Sequence, residues 1–190
     1  MSRLADYHGR MVNHVETLYQ TGERELATRF VQTLGCTVVD TDTTVETGST
    51  ILYAFPDPKE QDRLNNVVYM SEIRREQQAL EDALRPLLRG NGPAAKAFEA
   101  YVHRALNRPH GIPHFGIRYP SFESLEQTLE DLAEQMQGDL KDRVQFSQIV
   151  RPNHGASMTG ELIQAFIFTD VIVSGLFSIG QLIELQAQEL

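Results

Sequence analysis

The chain has 190 residues, enough for one generous domain or two small modules sharing a core. A hydrophobic fraction of 41% with 8% aromatic residues suits a packed globular interior. A formal net charge of −9 without a long Lys/Arg run argues against a nucleic-acid or anionic-membrane partner, and a single cysteine, Cys36, permits no intrachain disulfide.

The N-terminal stretch MSRLADYHGR has no apolar segment of the kind a secretory signal needs. The most apolar region, Ala165–Leu185, is broken by Thr169, Asp170, Gly175, Gly180 and Glu184, unlike a membrane span. A cytoplasmic protein is the expectation, and Cys36, at the start of an expected strand, reads as a buried structural thiol.

Met11–Tyr19 alternates as a strand, with Val12, His14, Glu16 and Leu18 on one face. Thr21–Gly22 make a turn, and Glu23–Leu34 places Leu26, Phe30, Val31 and Leu34 at helical spacing before Gly35, a C-terminal cap. Cys36–Thr41 and Thr50–Phe55 are β-rich runs around the turn-rich Asp42–Ser49, and Val67–Ile73 follows the polar loop Pro56–Asn66. The segment Arg74–Leu106 is helical by composition on both sides of Gly90–Pro93, and its leucines Leu80, Leu84, Leu87 and Leu88 are expected in the core or at an oligomer interface.

The pattern then repeats. His114–Tyr119 is an expected strand, and Ser121 or Ser124 an N-cap for a helix through Met136 with Phe122, Leu125, Leu129, Leu132 and Met136 on its buried face. Val144–Val150, Leu162–Thr169 and Leu182–Gln188 supply three more strands. The loop Asp170–Ile179 is apolar enough to extend the last hairpin or to cover a pocket. The expected fold is α+β: two β-α-β-β-β modules (residues 11–73 and 111–190) forming a pseudo-symmetric eight-stranded cleft, joined by a helical connector (74–110).

The motifs Asn13-His14-Val15, Phe30–Gly35, Pro113-His114-Phe115-Gly116-Ile117 and Gly180–Leu185, in this order, resemble the vicinal oxygen chelate superfamily. That group includes glyoxalase I, extradiol dioxygenases and bleomycin- or fosfomycin-resistance proteins. Two departures stand out: the length of the helical connector, and residues 171–179 between Asp170 and Gly180, where the family has a short turn. Both bear on pocket shape and substrate.

The resemblance implies metal ligands on the first and last strands of the repeats. His14, His114 and Glu184 match these positions, and Glu72 matches a fourth ligand found in glyoxalase-like members. Two imidazoles and a carboxylate hold a divalent ion (Fe²⁺, Mn²⁺, Ni²⁺ or Zn²⁺) with coordination positions open for O₂ or substrate. A second carboxylate suits Lewis-acid chemistry in which Glu184 or Glu72 moves a proton. Glu16 and Arg118 share strand faces with His14 and His114; they read first as salt-bridge residues and second as contacts that orient a ligand or meet an anionic substrate. His8, His103, His110 and His154 read as surface or loop residues.

The expected function is therefore a metal-dependent enzyme, a glyoxalase-like lyase or isomerase or an extradiol-type dioxygenase, acting on a small oxygenated organic molecule. The alternative is a metal-free protein of the same fold that sequesters a small hydrophobic or aromatic ligand. The sequence leaves the oligomeric state open, a homodimer being one option.

Overall fold

In the computed structural model the described residues are 9–152 and 161–188, so His8 and His154 lie outside them. Among these the chain is α+β, with two four-stranded mixed sheets and four helices. It divides into two compact units, Met1–Arg75 with Val171–Ser174, and Glu76–Asp170 with Gly175–Leu190. No helix among the described residues is long and apolar enough to cross a membrane.

The first unit runs β1 (His14–Tyr19), α1 (Arg24–Thr33), β2 (Thr37–Thr44), β3 (Thr50–Phe55) and β4 (Val67–Glu72). Its sheet order is β1-β4-β3-β2, with β1 parallel to β4 and the other pairs antiparallel. Strand alternation sorts its side chains onto two faces. One carries Thr17, Tyr19, Leu52, Ala54, Val68 and Met70, all buried, together with the apolar stripe Ala27, Phe30, Val31 and Leu34 of the first-helix segment. Burying each such large side chain stabilises the unit by roughly 1.5–3 kcal/mol. The other face carries His14, Glu16, Tyr53 and Tyr69, all partly or fully exposed.

Helix α1 ends where expected. Gly35 takes φ +84, and the amides of Gly35 and Cys36 turn back to Gln32 and Val31. Cys36 is buried, and that burial pushes its thiol up to about 12, as expected of an inert structural cysteine. Strand β2 runs further than its sequence suggests, to Thr44, through an irregularity between Asp40 and Thr44. Arg24 holds this edge: it donates to Thr50 O (2.7 Å) and to Asp40 Oδ2 (2.7 Å).

The second unit holds α2 (Arg75–Arg89, apart from its first residue), α3 (Pro93–Asn107), β5 (His114–Tyr119), α4 (Phe122–Gln135), β6 (Val144–Val150), β7 (Leu162–Thr169) and β8 (Gln181–Gln188). Its sheet order is β5-β8-β7-β6, with β5 parallel to β8. Ser121 caps α4 by accepting from Ser124 N (3.1 Å), and Leu125, Leu129 and Leu132 are buried as their spacing requires. Strand β6 is irregular between Phe146 and Gln148. Ser147, the residue skipped there, shares its hydroxyl between the Ala105 and Leu106 carbonyls at the end of α3 (2.6 and 3.0 Å).

Helix α2 departs from expectation. Leu80 and Leu87 are 48% and 59% exposed, and the buried side chain of this helix is a carboxylate, Glu81. Its leucines are not core. The helix is fastened by polar contacts instead, because its inward side meets the backbone of the β7–β8 connection. Nor does that connection extend the β7–β8 hairpin. Val173 bridges antiparallel to Leu18 (2.8 and 3.0 Å), which adds Val171–Ser174 to the first unit.

Candidate functional site

In the second unit, parallel pairing sets His114 opposite Leu182 and Gly116 opposite Glu184. His114, Gly116, Glu184, Phe166 and Gln164 thus share one face of the sheet. With no side chain at Gly116, the Glu184 carboxylate lies across that position, and its Oε2 stands 3.1 Å from His114 Nε2. The imidazole is 26% exposed and the carboxylate 13%.

Each member of this pair is fixed from its far side. His114 Nδ1 lies 2.7 Å from the Ile112 carbonyl, an acceptor only, so Nδ1 carries the proton and donates. In the neutral ring this turns the Nε2 lone pair toward Glu184. Two acceptors then face each other, an arrangement that a shared proton or a cation bridges. Gln164, buried on β7, donates from Nε2 to Glu184 Oε1 at 2.6 Å. The fully buried Phe166 meets the His114 ring edge-on at 5.5 Å and the His110 ring at 5.1 Å.

In the first unit His14 is exposed at the start of β1 and stacks on Tyr69 (4.9 Å, 22°). Tyr69 continues to Tyr53 at 5.1 Å, and the Arg63 guanidinium lies 5.8 Å from the Tyr53 ring. Glu16 is exposed on this same face, where its charge helps raise the Tyr69 hydroxyl above its ordinary value, after the larger effect of burial. Arg118, exposed on β5, pairs in register with Gln186.

Glu72 is not brought to His14. It pairs with Tyr19, five residues along β1 from the His14–Val67 pair, or about 16 Å, and it points to the opposite face. Its carboxylate accepts from Gly22 N (3.2 Å) and Ser49 Oγ (2.8 Å). Burial alone would raise this carboxyl. The hydrogen bonds from Thr47, Ser49 and Gly22 and the nearby Arg24 charge outweigh it, leaving Glu72 below its ordinary value of 4.5. Glu72 thus ties two turns to the end of β4.

A depressed folded-state value stabilises the protein above the ordinary carboxylate range, and the contribution fades as pH falls through the depressed value. Glu72→Gln is expected to cost about 1–3 kcal/mol at pH 7, and the deficit to shrink below about pH 4.5. Urea unfolding of both proteins at pH 7 and pH 3.5 checks it; an equal deficit at both pH values contradicts it.

Gln164, Ile112 and Glu81 escape a motif-based reading. Gln164 left a trace, as the polar residue within the apolar run Leu162–Phe168. Among the described residues no group of three or more His, Cys, Asp or Glu side chains could hold a metal ion.

No family model matches the chain, and no curated protein matches it. The chain is similar to a solved structure, protein PA1353 from Pseudomonas aeruginosa, at 9% identity over 94% of this chain and 98% of that one, with a TM-score of 0.45. At that score the likeness carries no argument.

Proposed function

We propose that this protein is a divalent-metal-dependent enzyme of the vicinal oxygen chelate type, acting on a small oxygenated organic molecule. One observation carries the reading: His114 Nε2 and the Glu184 carboxylate are held together on adjacent parallel strands, each oriented from behind by Ile112 and Gln164. A backbone carbonyl on the far nitrogen is how a metal-ligating histidine is usually oriented. The parallel β1–β4 and β5–β8 pairs and the matching strand orders support two modules of like β-α-β-β-β design. His14 is a third ligand that the resemblance alone implies.

A bound ion would act as a Lewis acid on a substrate oxygen. The side chains do the rest. His114 keeps Nε2 as its donor nitrogen because Nδ1 is committed to Ile112. Gln164 restrains Glu184 Oε1, which leaves Oε2 to face the ligand position beside His114 Nε2. With Glu72 occupied by two turns, the three-residue set is favoured over a four-ligand one. That leans toward extradiol-type oxygenation and away from glyoxalase-like isomerisation.

The row of exposed His14 and half-buried Tyr69 and Tyr53 supports the alternative, a metal-free protein that stacks a small aromatic ligand. Metal analysis of protein purified without a nickel column separates the two. Roughly one ion per chain is expected after incubation with Fe²⁺, Mn²⁺, Ni²⁺ or Zn²⁺. Less than about 0.2, with no gain on adding these ions, favours the binding protein.

A further inference from the structure

Glu81 is a fully buried carboxylate for which the proposed chemistry has no use. It accepts from Phe177 N (2.6 Å), Ser178 N (2.9 Å) and the Ser178 hydroxyl. One turn earlier on the same helix, Gln77 donates to Gly175 O at 2.8 Å. A helix that buries none of its leucines is thus fastened by two polar side chains to a single loop.

That loop leads directly into β8. Phe177 and Ser178 begin a tight turn closed by Ile179 N and Gly180 N onto Leu176 O (both 3.1 Å), so Glu81 caps its free amides as an acidic cap does at a helix start. The turn ends at Gly180, in the left-handed region at φ +81, where a Cβ would overlap the Phe168 ring. The next residue, Gln181, starts β8 opposite Thr169. From there Leu182 pairs with Phe168 and Glu184 with Phe166, the ring that contacts His114. A shift in the turn moves the start of β8 and the Phe168 wall together.

We propose that Glu81 is a positioning residue for Glu184, and that α2 serves to set the carboxylate against His114. This rests on the reading of His114 and Glu184 as the functional pair. Glu81 touches neither residue; it acts through the 176–180 turn and the first residues of β8.

The test uses the full chain and two readouts: the ¹⁵N resonances of the His114 ring at one fixed pH, and Ni²⁺ affinity by calorimetry. Glu81→Gln presents an NH₂ or a weaker acceptor to the two amides. It is expected to move the His114 Nε2 resonance toward its position in Glu184→Ala and to weaken Ni²⁺ binding about tenfold or more. A folded Glu81→Gln with His114 resonances unchanged overturns the proposal. Should Glu81→Gln fail to fold, Gln77→Ala, which removes the other tie to the same loop, must shift His114 in the same direction, and no shift overturns it. A wild-type chain that binds no Ni²⁺ counts against the metal reading alone, and the His114 resonances then decide the role of Glu81.

Discussion

Glu184→Ala and His114→Ala are each expected to weaken divalent-metal binding by at least two orders of magnitude, about 2.8 kcal/mol or more. Each removes half of the only pair of proposed ligands seen in contact among the described residues. Glu184→Gln should fall nearly as far, since a neutral amide is a poor donor to a divalent ion. His14→Ala tests the third ligand that the resemblance alone implies, and that implication requires a loss comparable to that of His114→Ala. Glu72→Gln should leave affinity within a few-fold of wild type, because its oxygens serve Gly22 and Ser49. Calorimetric titration with Ni²⁺, and with Fe²⁺ under nitrogen, reads all four positions. A large loss in Glu72→Gln alongside a small one in Glu184→Ala would invert the assignment.

Phe166→Ala is the substitution expected to damage fold and site together. The ring is fully buried, and its edges meet both His110 and His114. Truncation leaves a cavity beneath the pair and is expected to cost about 3–5 kcal/mol. It also removes one wall that limits rotation of the His114 imidazole, so metal affinity should drop even where the protein remains folded. Phe166→Leu, which keeps much of the volume, should recover most of the stability and only part of the affinity. Urea unfolding and metal titration of both variants check this; Phe166→Leu restoring neither would mean that the ring acts by more than volume.

Periodicity made much of this chain legible. Ala27, Phe30 and Val31 at helical spacing, and Leu125, Leu129 and Leu132 behind the Ser121 cap, identify the two core helices because one apolar stripe must meet a sheet. The turn after the first helix follows from Gly35, which alone of the residues there adopts φ +84 without strain. His114 and Glu184 were legible only as isolated letters on separate strands. Their contact depends on the parallel β5–β8 register, which is not a local property of sequence. Leu80 and Leu87 stay exposed for a related reason. Amphipathic spacing says that a stripe is apolar, not that anything covers it, and α2 is anchored through Glu81 and Gln77. Glu72 sat in the right strand but on the wrong face, since a one-residue step along a strand reverses a side chain.

Metal at the His114–Glu184 pair is tested by anomalous diffraction from crystals of the full chain grown with Mn²⁺, measured on both sides of the manganese absorption edge. An anomalous peak is expected within bonding distance of both His114 Nε2 and the Glu184 carboxylate. Manganese bound only at other residues, with the His114–Glu184 contact intact and no peak beside it, would contradict this.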